Sequence, residues 1–138
     1  MPASTPVLDD LLTLARQVRE RAYAPYSHFH VGAAVLTRDG RRFGGCNVEN
    51  SAYGLCNCAE RTALFSAVAA GCRRGDFVAL AVIADMPEPA SPCGACRQVM
   101  AELCDKTMPV LLSNLGGSTR ETTVAELLPD SFKLPSAN

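Results

Sequence analysis

Two short cysteine-containing segments carry the residues of this sequence that could do chemistry. The first covers Cys56–Arg61 and reads CNCAER, and the second covers Pro92–Arg97 and reads PCGACR. Cys93 and Cys96 are three residues apart, so on a helix their side chains lie on the same side. Both segments stand at predicted helix N-termini, whose partial positive charge favours thiolates. This pattern predicts a metal site, and zinc is a metal that thiolates bind well.

A set of three cysteines predicts a catalytic rather than a structural zinc site. Cys58, Cys93 and Cys96 would leave one position of the metal for water, whose pKa zinc lowers towards about 7. Glu60 follows Cys58 by two residues, so its carboxylate can lie beside the metal without binding it and act as a general acid and base. Three thiolates make the zinc centre negative, and we expect Arg61 to offset this charge by a hydrogen bond to sulfur.

Apolar spacing and turn signals predict the elements that position these two segments. In chain order they are a helix that starts at Thr5-Pro6 and ends before Pro25, strands over His30–Thr37 and Arg41–Val48 around a two-residue turn at Asp39-Gly40, a helix from an N-cap at Asn57 to Gly71, a strand over Phe77–Ala84, a helix from Ser91-Pro92 to Leu103, strands over Met108–Asn114 and Thr119–Thr123 around Gly116-Gly117, and a last helix with a Thr123 and Glu126 capping box.

This order of elements predicts an α/β fold in three layers, α/β/α. Helices on both sides of a mixed five-stranded sheet would bury every apolar face. Phe77–Ala84 is apolar almost throughout, as is typical of a central strand buried on both faces. The last two strands are too close in sequence for a crossover helix, so they should be antiparallel neighbours. A length of 138 residues suits a single domain over residues 1–138.

Composition limits the partners and the compartment that we expect. Thirteen Lys and Arg residues against 14 Asp and Glu residues give a net charge of -1, so no basic excess is present to bind nucleic acid. No apolar run is long enough to span a membrane, and residues 1–10 lack the pattern of a secretion signal. The prediction is a cytoplasmic protein, in which seven cysteines indicate metal or redox chemistry rather than disulfides.

Several further motifs extend the pattern over most of the chain. Cys58-Ala59-Glu60 followed by Pro92-Cys93-Gly94-Ala95-Cys96 matches the three-cysteine form of the zinc-deaminase signature. The sequence thereby resembles the small homotetrameric cytidine deaminases, a resemblance specific only when the motifs are combined. The other matching segments lie between Ala22 and Phe132 and are Tyr26–Phe29, Val31–Ala34, Gly45–Asn50, Asn57–Ala63, Ser91–Val99 and Glu126–Pro129.

The resemblance implies an activity and a place in metabolism. One zinc per subunit would be held by the three cysteines, and water activated there would attack C4 of the pyrimidine of cytidine or deoxycytidine. Glu60 would take the proton from the water, donate to ring N3 and help ammonia leave, giving uridine or deoxyuridine in pyrimidine salvage. The predicted hairpin at Gly116-Gly117 favours the branch that acts on free nucleosides, because relatives acting on RNA or DNA typically continue with parallel strands.

The resemblance also implies substrate contacts and an assembly. Asn47 and Glu49 match positions that hold the ribose hydroxyls, and both would lie on one face at a strand end, which suits recognition of a diol. The assembly would be a homotetramer with its sites at subunit interfaces, without nucleic acid or membrane partners. The remaining implied contacts are Phe29 as an aromatic wall, the backbone of Ala59 and Ser91 at the base edge, Tyr53 in an interface segment and Phe132 supplied to a neighbouring subunit.

Other interpretations of the cysteines stay open at this point. Cys93 and Cys96 could form a thioredoxin-like dithiol, or could join Cys56 and Cys58 in a purely structural zinc site. In the structural site, Glu60 would only complete a capping box. The other three cysteines, which are Cys46, Cys72 and Cys104, are interpreted as small buried hydrophobic residues.

Two functional alternatives and the role of one arginine also stay open. The same scaffold could deaminate another cytosine-bearing compound, such as an aminoacyl-nucleoside antibiotic, although Asn47 and Glu49 argue against a substrate without a ribose diol. The protein could also be a non-catalytic zinc scaffold. Arg97 is either a second donor to sulfur or a surface residue of its helix.

Overall fold

The structure, a computed structural model, describes residues 5–135 and contains a five-stranded mixed sheet between helices. The elements are α1 (Thr5–Arg19), β1 (Val31–Thr37), β2 (Arg42–Cys46), a 3-10 turn (Tyr53–Leu55), α2 (Ala59–Ala69), β3 (Phe77–Ala84), α3 (Gly94–Leu103), β4 (Pro109–Asn114), β5 (Thr119–Thr123) and α4 (Val124–Leu127). The strand order is β2-β1-β3-β4-β5; β3 and β4 are parallel, and the other neighbouring pairs are antiparallel. The predicted mixed sheet and antiparallel last pair are confirmed.

Helices cover both faces of this sheet, as the three-layer prediction requires. On one face α1 buries Leu8 and Leu11 against strand residues such as Ile83. On the other face α2, α3 and α4 form a larger core, in which Leu64 and Met100 are fully buried. β3 lies at the centre and is buried along nearly its whole length. Within the described residues, every helix is too short or too polar to cross a bilayer.

The first helix ends earlier than predicted. The described part of α1 starts at Thr5, the predicted N-cap, and the helix ends at Arg19 rather than just before Pro25. The reason is a bridge to the segment after β2: Tyr23 N donates to Asn47 O at 3.0 Å, and its carbonyl accepts from Glu49 N at 2.8 Å. These long-range bonds draw the chain out of the helix, although its apolar spacing continues.

The two helices of the cysteine segments also begin later than predicted. Cys58 rather than Asn57 is the N-cap of α2, because Asn57 exchanges two backbone hydrogen bonds with Val48 and is therefore held in an extended conformation. Cys93 rather than Ser91 is the N-cap of α3, with an extended backbone at φ -68 and ψ 167. The corrected starts place both thiols directly at helix N-termini, where the helix dipole favours a thiolate.

Two turn predictions have different outcomes. The β1–β2 hairpin has three residues between Thr37 and Arg41, whose backbones are hydrogen bonded, instead of the predicted two-residue turn. Gly40 has φ 88, the left-handed conformation that closes such three-residue loops. Before α4 the predicted N-cap is confirmed, because Thr123 Oγ1 accepts from Glu126 N at 3.2 Å, whereas Glu126 Oε1 accepts from the Thr123 hydroxyl rather than from its backbone N–H, so only one half of the predicted capping box is formed.

A close contact between α2 and β2 fixes the helix that carries the first cysteine segment. Gly45 of β2 faces α2, and a Cβ at this position would lie 2.4 Å from Ala63 N and 2.6 Å from Ala59 O. Only a residue without a side chain lets the helix backbone approach the strand this closely. The start of α2 is therefore set by the backbone of β2.

Candidate metal centre and active site

Three cysteine sulfurs from two helix N-termini meet at one point. The Sγ of Cys93 lies 3.6 Å from that of Cys58 and 3.5 Å from that of Cys96, and all three sulfurs are within 4.8 Å of one another. Sulfurs bound tetrahedrally to one zinc at about 2.3 Å are roughly 3.8 Å apart. The donor set therefore fits zinc, with three protein ligands rather than four.

The four-cysteine alternative is not formed. Cys56 does not join the cluster, because its sulfur accepts a hydrogen bond from Asn50 N at 3.3 Å. All seven cysteines of the sequence lie in the described part of the chain and are free thiols. A four-cysteine structural site is therefore absent among residues 5–135, and the free thiols of Cys93 and Cys96 share their cluster with Cys58.

Hydrogen bonds within the cluster favour a thiolate at Cys58. The pKa of Cys58 is lowered to about 5, mainly by a hydrogen bond with Cys96. A smaller part of this lowering comes from the hydrogen bond that Arg61 Nη2 donates to Cys58 Sγ at 3.3 Å. The hydrogen bond between Cys58 and Cys96, together with burial, raises the pKa of Cys96. The contact with Cys58 also raises the pKa of Arg61, so its guanidinium stays charged beside the sulfurs. A positive group at this place offsets part of the negative charge that three thiolates bring to zinc.

The carboxyl group of Glu60 is buried next to this cluster. Glu60 is the second residue of α2, is only 4% exposed, and is not one of the residues that form the metal cluster. Burial raises the pKa of Glu60 to about 7. The capping-box interpretation of Glu60 fails, because the Asn57 side chain donates to Thr62 Oγ1 and the N-cap of α2 has no side-chain hydrogen bond. A carboxyl group with a pKa near neutrality can both take and give a proton.

A cavity of about 520 Å³ opens over the cluster and Glu60, within the size range of small-molecule sites. It brings together residues that are far apart in sequence. Cys96 lies beneath it and is fully buried. The predicted site residues that line the cavity are Phe29, Asn47, Glu49, Tyr53, Cys58, Ala59, Glu60, Arg61, Ser91 and Cys93.

Two of the polar lining residues hold a neighbouring turn in place. Asn47 Oδ1 accepts from Val31 N at 2.8 Å, and its Nδ2 donates to Phe29 O at 2.8 Å. Glu49 Oε1 accepts from Tyr26 N and Ser27 N at 3.0 and 3.1 Å, and its Oε2 accepts from the Ser27 hydroxyl. The hydroxyl and the amide of Ser27 lower the pKa of Glu49, which keeps it ionised. Phe29 and the ends of both polar side chains are thereby fixed at the cavity rim.

Two predicted positions differ from the rest. Arg97 makes its hydrogen bonds to Pro92 O, Leu127 O and Ser91 Oγ rather than to sulfur. Phe132 is 67% exposed and lies outside the cavity, and its carbonyl accepts from Gln98. Within a single chain, the predicted substrate-binding residues therefore lie together at the cavity, with the exception of Phe132.

Sequence reasoning missed several cavity residues. Ala84, Met86 and Ala90 line the cavity at and beyond the end of β3. The rule that ligands bind beyond the carboxyl ends of parallel strands could have indicated them, since β3 and β4 are parallel. Ser27 was missed as well, and its contact with Glu49 spans 22 residues without a local signal.

The remaining cysteines lie away from the cluster. Cys72 and Cys104 are 2% and 5% exposed, and burial raises the pKa of Cys104 to about 12. Burial also raises the pKa of Cys46. The raised pKa values of Cys46 and Cys104 make these two thiols unreactive near neutral pH, and the burial of Cys72 is that of a packing residue.

Comparisons with known proteins agree with the chemistry of this site. Residues 7–112 match the family model of the cytidine and deoxycytidylate deaminase zinc-binding region. The chain is 58% identical over 125 residues to a cytidine deaminase of Sporosarcina psychrophila, covering 91% of this chain and 90% of that protein. It is 56% identical over 128 residues to a cytidine deaminase of Halalkalibacterium halodurans, and the match covers 93% of this chain and 96% of that protein.

A solved structure agrees in fold as well as in sequence. The 1.6 Å crystal structure of cytidine deaminase from Burkholderia pseudomallei matches with a TM-score of 0.88 and 59% identity, over 90% of this chain and 98% of that chain. The three-cysteine cluster found here is the donor set that a zinc-binding region requires. The chain therefore belongs to the cytidine and deoxycytidylate deaminase family and is a zinc enzyme of the hydrolytic deaminase class.

Proposed function

We propose that this enzyme converts cytidine and deoxycytidine, with water, into uridine and deoxyuridine and ammonia, as a step of pyrimidine salvage. One observation carries the proposal: a buried carboxyl group, Glu60, shares a cavity of about 520 Å³ with the three-cysteine cluster. The high identity to proteins named cytidine deaminase supports the choice of substrate.

The catalytic roles follow from the positions of these groups. Cys58, Cys93 and Cys96 would hold one zinc per subunit, which, when bound, lowers the pKa of a water so that it becomes a nucleophile near neutral pH. Glu60 takes a proton from the attacking water and passes it to ring N3, and a further transfer to the amino nitrogen lets ammonia leave. A pKa of Glu60 near 7 suits both directions of proton transfer.

The rim of the cavity supplies the substrate contacts in this proposal. Asn47 Nδ2 and the Glu49 carboxylate keep further hydrogen-bonding capacity beyond their bonds to the 26–31 segment, and we assign them to the ribose hydroxyls. Phe29 lines the same rim and would pack beside the nucleoside. The backbone of Ala59 and of Ser91 would read the base edge.

An assembly of four copies would complete the site. Tyr53 lies at the cavity edge and is 81% exposed, and Phe132 is 67% exposed at a distance from this chain's own cavity. Large aromatic side chains at this exposure are typical of protein interfaces. We propose a homotetramer in which Tyr53 lines an interface and Phe132 enters the site of a neighbouring subunit.

Ultraviolet absorbance tests the substrate directly. Cytidine, deoxycytidine and an aminoacyl-nucleoside that carries cytosine but no ribose diol are compared in the same assay with zinc-loaded enzyme. Loss of cytosine absorbance for the first two and not the third is the expected result, because deoxycytidine keeps the 3′-hydroxyl for Asn47 and Glu49 to bind, whereas a compound with neither ribose hydroxyl offers them no partner. Turnover of the aminoacyl-nucleoside alone would favour the antibiotic-type alternative and overturn the proposal.

A further inference from the structure

Arg97 uses all three nitrogens of its guanidinium group in short hydrogen bonds. Nε donates to Pro92 O at 2.8 Å, Nη1 donates to Leu127 O at 2.8 Å, and Nη2 donates to Ser91 Oγ at 2.7 Å. The residue lies in α3, and its side chain reaches back towards the start of that helix, the direction that helical side chains take. A guanidinium presents its donors in one rigid plane, so three simultaneous bonds fix the relative places of three acceptors.

The three acceptors belong to two segments with different roles. Ser91 and Pro92 immediately precede Cys93, so they form the part of the β3–α3 loop that delivers this thiol and the Ser91 backbone to the cavity. Leu127 is the last residue of α4, and a cation is favourable beside the free carbonyls at a helix C-terminus. Arg97 therefore clamps the loop that carries Cys93 to the C-terminal end of α4.

The beginning of the same loop is held by a different residue. Asn114 Nδ2 donates to Met86 O and Pro87 O, both at 3.1 Å, and Ala90 N donates to Ser113 O at 3.0 Å. These bonds attach residues 86–90 to the end of β4. They do not involve the last residues before the cysteine, which are the ones that Arg97 binds.

We propose that Arg97 is a positioning residue of the reaction, which acts through the 91–93 loop and not through sulfur. It sets the places of Cys93 Sγ and of the Ser91 backbone relative to Cys58 and Glu60, which come from the other helix. The role of Arg97 in placing the Ser91 backbone for the substrate rests on the proposed function. Its role in placing Cys93 does not, because Cys93 is a candidate metal ligand whatever the substrate is.

A lysine cannot replace Arg97 if the inference is right. An ammonium is a compact point charge on a flexible chain and cannot reach three acceptors that diverge in one plane. A role in charge compensation alone would be preserved by Arg97→Lys, whereas a clamp would be lost in both Arg97→Lys and Arg97→Gln. The two variants therefore separate geometry from charge.

The test measures zinc retention without substrate. Zinc-loaded wild type, Arg97→Lys and Arg97→Gln are mixed with a chromogenic chelator, and the rate of zinc release is followed. Two control variants are Arg120→Lys, an exposed arginine on β5, and Leu8→Ala, which removes packing on the opposite face of the sheet. Thermal unfolding of each zinc-loaded protein is measured in parallel.

We expect both Arg97 variants to release zinc roughly 10- to 100-fold faster than wild type, the range found when residues that orient metal ligands are changed. The value of kcat/KM for cytidine should fall over the same range, while Arg120→Lys and Leu8→Ala keep the wild-type release rate. Equal release rates for Arg97→Lys and Arg120→Lys would overturn the inference. So would a release rate for Leu8→Ala that rises as much as that of the Arg97 variants.

A milder variant covers the case in which the Arg97 variants do not fold. Ser91→Ala removes one of the three acceptors and should speed zinc release by about 2- to 10-fold, the equivalent of one hydrogen bond. An unchanged rate in Ser91→Ala would contradict the clamp. If wild type binds zinc but does not turn over cytidine, the proposed function fails, and the zinc-release rates still decide the role of Arg97.

Discussion

The contact between Gly45 and α2 makes a small substitution far more damaging than its size suggests. In Gly45→Ala the new methyl group would lie 2.4 Å from Ala63 N and 2.6 Å from Ala59 O, both backbone atoms. Ordinary contact needs about 3.5 Å, so the helix must move away from the strand by roughly 1 Å. The moving end of α2 carries Cys58 and Glu60, and a misplacement of about 1 Å can cost on the order of 100-fold in rate.

The neighbouring glycine supplies a matched control. A Cβ at Gly44 would lie 2.6 Å from Val18 Cγ1, a side-chain atom of α1 on the opposite face of the sheet. Both alanine variants should lose about 1–3 kcal/mol of stability from overpacking. Only Gly45→Ala should also lose turnover, because only its clash displaces α2.

The assay measures kcat/KM for cytidine per zinc-loaded, folded protein, with thermal unfolding as the stability readout. Gly45→Ala is expected to fall by about 100-fold and Gly44→Ala to keep the wild-type value. Equal turnover of the two variants would refute the claim that Gly45 sets the position of the catalytic helix.

Three further predictions concern single side chains. Thr122 Oγ1 is buried and has no hydrogen-bond partner among the described residues, so Thr122→Val should raise the free energy of unfolding by about 1 kcal/mol; a lower melting temperature would contradict this. Arg61→Ala should lower zinc affinity and turnover by roughly 10- to 100-fold, and unchanged zinc content and turnover would disprove charge compensation at Cys58. Ser27→Ala should raise KM for cytidine by about 2- to 10-fold, because Glu49 loses one donor; an unchanged KM would show that this bond does not position Glu49.

Local sequence signals were sufficient where the structure depends on neighbouring residues. The predicted bounds of β3 and β5 match the structure, since an apolar run and a polar edge strand are both defined by their own residues. The N-cap bond of Thr123 formed for the same reason. The pairing of Cys93 with Cys96 was predictable from their spacing, and their convergence with Cys58, 35 residues from Cys93, was predictable only from the combined motifs.

Long-range backbone bonds explain where prediction failed. The bridge between Val48 and Asn57 moved the start of α2 by one residue, and no pattern within the helix indicates that bridge. In the same way, the acceptors of Arg97 include Leu127, which is 30 residues away in sequence. Such contacts become visible only when the sheet has placed distant loops side by side.

The central claim is that three thiolates hold a zinc beside an unligated, buried Glu60 that moves the protons. It is tested most directly by measuring zinc content and loss of cytidine absorbance together, in wild type and in Glu60→Gln. We predict zinc in both proteins, turnover in wild type, and a rate lower by about 100- to 10,000-fold in Glu60→Gln. A Glu60→Gln enzyme that kept the wild-type rate, or a zinc-loaded wild type inert on cytosine nucleosides, would contradict the account.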